Sequence, residues 1–110
     1  MIARAPHLRP YAIGIDFGTE SGRALLVDVA TGAELATAIH NYGDGVITRH
    51  LPGSDRALPP DWALQNPEDY VAVLKVTIPE VLRRAGVSAA DICGVGVDFT
   101  ACTMLPTLAD

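Results

Sequence analysis

The amino-acid sequence predicts an α/β fold: a three-stranded β-meander, then a helix, then a further strand. Three observations carry this. Apolar runs at residues 11–16 and 23–29 flank a loop of small residues short enough to close an antiparallel hairpin. Residues 67–85 repeat apolar side chains at the helical period between a start signal and a stop signal. A last apolar run, residues 92–98, follows soon after the helix ends.

Residues 11–16 read as a buried central strand, because the run is apolar and turn formers stand on both sides. The second strand leads into the turn Ala30-Thr31-Gly32. Residues 33–42 alternate loosely, but Leu35, Thr37 and Ile39 favour a third strand and complete the meander. From Gly43 to Asn66 glycines, prolines and scattered charges break every pattern. A long irregular loop is expected there, with Trp62, Leu64 and Gln65 anchoring its far end.

Asn66 can cap the helix, Pro67 needs no hydrogen bond at the first position, and Glu68 and Asp69 suit the positive N-terminal end. Tyr70, Val73, Leu74, Thr77, Ile78, Val81, Leu82 and Ala85 share one face, Arg83 and Arg84 stand near the C-terminal end, and Gly86 suits a left-handed cap. Pro79 keeps the stripe in phase, so a kink at the Lys75 carbonyl is expected rather than a break. Residues 88–91 suit a capped turn. In the last strand Gly94 and Gly96 imply close packing against a neighbouring backbone or helix. Residues 1–10 lack periodicity and read as a flexible leader.

With 110 residues, 49% of them apolar and 19% charged, the chain is globular rather than disordered, and a net charge of −5 offers nucleic acid no electrostatic footprint. Cys93 and Cys102 are too few for a disulfide framework and lack zinc spacing, so both read as packing cysteines. His7, His40 and His50 form no ligand cluster. No stretch approaches the roughly 18 apolar residues of a membrane span, and the start lacks the apolar segment of a secretory signal. A cytoplasmic location is expected.

Chemistry concentrates in residues 13–23. The first strand rises to Asp16, the chain turns through Gly18, Thr19 and Ser21, and Arg23 follows. Backbone N–H groups, two hydroxyls, a carboxylate and a guanidinium in so short a span suit nucleotide phosphates and their metal ion. Asp98 ends the last strand as Asp16 ends the first, and in open sheets with helical crossovers ligands gather beyond the carboxyl ends of strands. Thr100, Ala101, Cys102 and Thr103 then mix hydroxyls with small side chains, as a polyhydroxylated ligand requires. On the residues alone, each aspartate reads equally as a turn former and Arg23 as a solvated surface residue.

Taken together, these residues resemble the FGGY-type carbohydrate kinases, whose fold belongs with actin, hexokinase and the heat-shock ATPases. The run Gly14-Ile15-Asp16-Phe17-Gly18-Thr19-Glu20-Ser21-Gly22-Arg23 is similar to that family's first phosphate loop. Ala63-Leu64-Gln65-Asn66-Pro67-Glu68-Asp69-Tyr70 is similar to the element opening its first helix. Val97-Asp98-Phe99-Thr100-Ala101-Cys102-Thr103-Met104-Leu105-Pro106 differs from glycerol kinases and xylulokinases and resembles a branch acting on a ketopentose. The resemblance covers residues 11–110 and implies an incomplete N-terminal part of an actin/hexokinase-like, ribonuclease H-like ATPase domain.

The activity it implies is transfer of the γ-phosphoryl group of ATP to a terminal sugar hydroxyl by the full-length protein, the fragment alone being inactive. Asp16 would help place Mg²⁺ and the phosphates, Gly18, Thr19 and Ser21 would approach the ATP tail, and Arg23 would meet phosphate charge. Asp98, Thr100, Ala101 and Cys102 would line the sugar site. The catalytic base and the domain holding the adenine are expected beyond residue 110. The implied partners are therefore a sugar, ATP and the remaining C-terminal part, with no nucleic acid and no membrane. Another FGGY sugar or polyol kinase, a non-catalytic truncated module and a chaperone- or actin-like ATPase stay open at this point.

Overall fold

Strand alternation sorts side chains onto two faces, and in this chain the two faces have different fates. The computed structural model describes residues 10–100 and 108–109. Along the chain run β1 (Tyr11–Phe17), β2 (Ser21–Asp28), β3 (Glu34–Asn41), β4 (Val46–Ile47), β5 (Leu64–Gln65), α1 (Pro67–Ala85), a 3-10 turn (Ala89–Asp91) and β6 (Ile92–Phe99). The meander, the helix and the last strand stand where the sequence places them. Of the leader expected over residues 1–10 only Pro10 is described, and Ala101 and Cys102 lie outside the described residues.

The main sheet has the order β3-β2-β1-β6, with β1 antiparallel to β2, β2 antiparallel to β3, and β1 parallel to β6. The hairpin is closed at one end by the loop after β1. In the next turn, between β2 and β3, Asp28 Oδ1 accepts from the N–H groups of Ala30 and Thr31, and Gly32 adopts φ 72°. Crossing from β1 to its parallel neighbour requires a long connection, and α1 supplies it.

Register places Val97, Ile15, Ala24 and Ala38 in one row and Val95, Ile13, Leu26 and Ala36 in the next. The core forms where α1 covers these rows: Ile13, Ile15, Ala24, Leu26 and Ala38 are buried with Val73 and Val81 of the helix. Gly22 belongs to this face, and a Cβ there would come within 2.6 Å of the Val73 methyls, so the glycine permits the close approach of helix to sheet. Thr77 is fully buried among apolar neighbours because its hydroxyl donates to the Val73 carbonyl. Leu74, assigned to the apolar face by period, is exposed instead, along with Val71 and Val76.

The helix ends follow their signals. Asn66 accepts from the Glu68 N–H at 3.0 Å, and Gly86 closes the helix at φ 64°, its N–H donating to the Arg83 carbonyl. α1 is continuous through Pro79. Arg84 reaches across to the Thr37 carbonyl and ties the last turn to β3.

Further expectations are corrected, among them Trp62, which is exposed rather than an anchor of the loop. The loop between Gly43 and Asn66 is not wholly irregular: β4 pairs with β5, and His50 bridges to Ala57. Local pattern missed this because two-residue strands carry no period. Gly94 and Gly96 are not wedged against a neighbour, since a Cβ on either would meet nothing within 4 Å among the described residues. Cys93 is exposed rather than packed, because β6 lies beyond the reach of α1. For the same reason Val95, Val97 and Phe99 stay 56%, 56% and 65% exposed beside the core.

Candidate functional site

The opposite face of the sheet carries no helix among the described elements. There the register sets Asp98, Asp16, Arg23 and Ile39 in one row and Gly96, Gly14, Leu25 and Thr37 in the next. Gly14 and Gly96 stand side by side with no side chains to fill the space. They floor a trough of about 400 Å³ whose lining includes Asp16, Arg23, Leu25 and Asp98. The apolar rows hold the strands in register, and the intervening positions deliver the charges to this face.

Within the charged row, Arg23 Nε lies 4.0 Å from Asp16 Oδ2, with both side chains about half exposed. At that separation and exposure the pair adds little to stability, so both groups keep their capacity for a ligand. Asp98 Oδ1 accepts from the Phe99 N–H at 2.9 Å. Thr100 donates through both its N–H and its hydroxyl to the Phe17 carbonyl, at 3.0 and 3.3 Å, and so fixes the end of β6 against the end of β1. Of the residues singled out from sequence, the structure thus brings Asp16, Arg23 and Asp98 into one row, with Thr100 just beyond it.

Gly18, Thr19 and Ser21 form the tight turn between β1 and β2. The Gly18 N–H donates to the Ser21 carbonyl at 2.8 Å, and a Cβ on Gly18 would come within 2.9 Å of that oxygen. Glycine is required there by backbone crowding. Thr19 is exposed at the tip.

Sequence reasoning missed what stands behind this turn. Tyr42, buried at the end of the meander, donates its hydroxyl to the Gly18 carbonyl at 2.7 Å and its N–H to the Glu20 carbonyl at 3.0 Å. Gln65 Nε2 donates to the Thr19 carbonyl at 3.2 Å. Burial pushes the Tyr42 phenol up from 10.0 to about 12, with the nearby Tyr70, Asp16 and Asp69 adding to the effect, so the hydroxyl stays a donor through neutral pH. Asp69 is 7% exposed and accepts from the N–H groups of Gly43, Asp44 and Gly45. Its place in the first helical turn signals only a favourable charge; its long-range role has no local signature.

Asp16 and Asp98 are two carboxylates on adjacent strands, and no group of three or more His, Cys, Asp or Glu able to hold a metal ion exists among the described residues. Such a set fits Mg²⁺, which is commonly held by one or two carboxylates with substrate phosphates and water completing its shell. Nor is any helix among the described residues long and apolar enough to cross a membrane.

No family model matches the chain. Its fold superposes on part of a xyloylose kinase from Brucella ovis, with a TM-score of 0.64 and 22% identity over 82% of this chain and 16% of that one. The fold of this chain is therefore that of the matching part of this sugar kinase.

Sequence similarity is more specific. The chain is 54% identical over 99 residues to a ribulokinase from Shouchella clausii, covering 90% of this chain and 18% of that protein. To a ribulokinase from Mycolicibacterium smegmatis it is 53% identical over 106 residues, 96% of this chain and 19% of that protein. The chain is similar to both ribulokinases over most of its own length and spans less than a fifth of theirs.

Proposed function

We propose that this chain supplies one wall of the active site of an ATP-dependent sugar kinase, a ribulokinase that phosphorylates the terminal hydroxyl of a ketopentose in the cytoplasm. The observation that carries the reading is the row of Asp98, Asp16 and Arg23 beside the 18–21 turn, in a chain more than half identical to ribulokinases. In this reading Arg23 meets phosphate charge, Gly18 lets the backbone approach the ATP tail, and the hydroxyls of Thr19 and Ser21 donate to it.

Asp16 would hold Mg²⁺, which when bound neutralises charge on the phosphates. Asp98 and Thr100 orient the sugar, and the resemblance assigns Ala101 and Cys102 to the same substrate. The base that takes the sugar hydroxyl proton lies outside residues 1–110, as does the part holding the adenine. Phosphoryl transfer depends on positioning and charge stabilisation, so this wall alone is inactive.

The test is product analysis of the longer protein carrying this chain, supplied with Mg²⁺, ATP and a panel of ketopentoses, other sugars and polyols. ADP and a ketopentose phosphate formed preferentially from ribulose support the reading. Preference for another sugar or a polyol moves the protein to a sister branch, and ATP consumption with none of them overturns the kinase assignment.

A further inference from the structure

Three consecutive carbonyls, those of Gly18, Thr19 and Glu20, all accept hydrogen bonds from the body of the domain. Gly18 is held by the Tyr42 hydroxyl, Thr19 by Gln65 Nε2 and Glu20 by the Tyr42 N–H. The donors come from two distant parts of the chain, and one side chain joins them. The Tyr70 ring meets Tyr42 edge to face at 5.5 Å and 88°, and meets Phe17 at 5.4 Å and 82°. Its hydroxyl donates to Gln65 Oε1, which fixes the amide so that Nε2 faces Thr19. Asp69, next to Tyr70 on α1, pins the N–H groups of Gly43, Asp44 and Gly45 immediately after Tyr42.

We propose that Tyr42, Tyr70 and Gln65 form a brace that positions the 18–20 turn for the phosphates of the nucleotide, with the Tyr42 hydroxyl as its principal contact. The inference rests on the kinase reading above. Its physical basis is the sign of the backbone dipole: a carbonyl turned toward a polyanion repels it, and a turn binds anions when its oxygens are drawn away and its N–H groups are presented. Tying three successive oxygens inward keeps them drawn away before nucleotide arrives, with the Gly18 N–H itself held by the Ser21 carbonyl, so binding need not order the turn. None of the three side chains need touch the ligand. They are positioning residues.

In the longer protein, Tyr42→Phe removes one hydroxyl and keeps the ring in its place against Tyr70. The expected result is a rise of roughly three- to tenfold in the KM for ATP, the size of one lost hydrogen bond, with the KM for the sugar unchanged. Tyr70→Phe frees the Gln65 amide and should give a smaller rise in the same parameter. Amide hydrogen exchange across residues 18–21, measured without nucleotide, should quicken in Tyr42→Phe while exchange in the core strands stays as in the parent. An unchanged KM for ATP with unchanged exchange over the turn overturns the brace, and so does an equal loss for both substrates. If the parent protein phosphorylates no sugar, the kinase reading fails on its own. Exchange then still decides the brace, faster over the turn supporting it and unaltered overturning it.

Discussion

The two faces of the same four strands differ in nearly every respect. On one, Ile13, Ile15, Ala24, Leu26 and Ala38 are buried beneath Val73 and Val81 of α1. On the other, one residue along each strand, stand Gly14, Asp16, Arg23, Leu25, Gly96 and Asp98, around an open trough. The difference teaches that stability and chemistry have been separated by a single-residue alternation. The covered face sets the register, and the register then aligns charges that contribute little to folding. Damage on the first should show as unfolding, damage on the second as lost binding.

The largest effect is expected from Leu26→Ala, since Leu26 is fully buried and the cavity cannot be filled by a neighbouring row: a loss of about 2–5 kcal/mol in denaturant unfolding. Leu25→Ala, one position away on the open face, should cost less than about 1 kcal/mol. Equal losses would break the comparison. Asp69→Ala comes next, because it strands the buried Gly45 N–H and leaves the part-buried N–H groups of Gly43 and Asp44 without this acceptor; about 1–3 kcal/mol is expected by the same measurement.

Arg23→Ala should leave the unfolding midpoint almost unmoved, its ion pair being long and exposed, while kcat/KM for ATP falls roughly tenfold and the KM for the sugar is kept. Unaltered nucleotide kinetics would remove Arg23 from the phosphate site. The smallest effect belongs to the outer surface of the helix. Hydrogen bonds from Arg83 and Arg84 hold the Glu80 carboxyl down from 4.5 to about 2. A carboxyl whose folded value is depressed stabilises the fold above its ordinary value and loses that contribution as pH falls from 4.5 toward 2. Glu80→Gln should therefore shift the parent's acid transition only slightly, as read by ellipticity against pH; a large shift would mean that Glu80 and its two arginines support the fold as the core does.

Legibility differed between the faces as well. The covered face was readable because burial leaves a period: the run ending at Asp16, the Asn66-Pro67 start and the Gly86 stop all act through neighbours within a turn or a strand. Leu74 shows the limit, since α1 packs chiefly over β2 and β3 and a face judged from period alone is too wide. On the open face, Asp16, Arg23 and Asp98 could be nominated one at a time, from their places at strand ends and beside the small-residue turn. That they share a row could not, because the parallel pairing of β1 with β6 joins segments on either side of the whole helix.

By itself, then, the sequence determined the kinds of element, their order, the caps of α1 and the turn through small residues after β1. Each of these follows from the conformational preferences and hydrogen bonds of residues close along the chain. Tertiary structure alone decided that two glycines would lie side by side to open a trough, that three charges would line one end of it, and that Tyr42, Tyr70 and Gln65 would meet behind the turn. Those outcomes depend on register and on the close approach of α1 at Gly22, which are fixed by contacts between distant segments and leave no periodic trace in either segment alone.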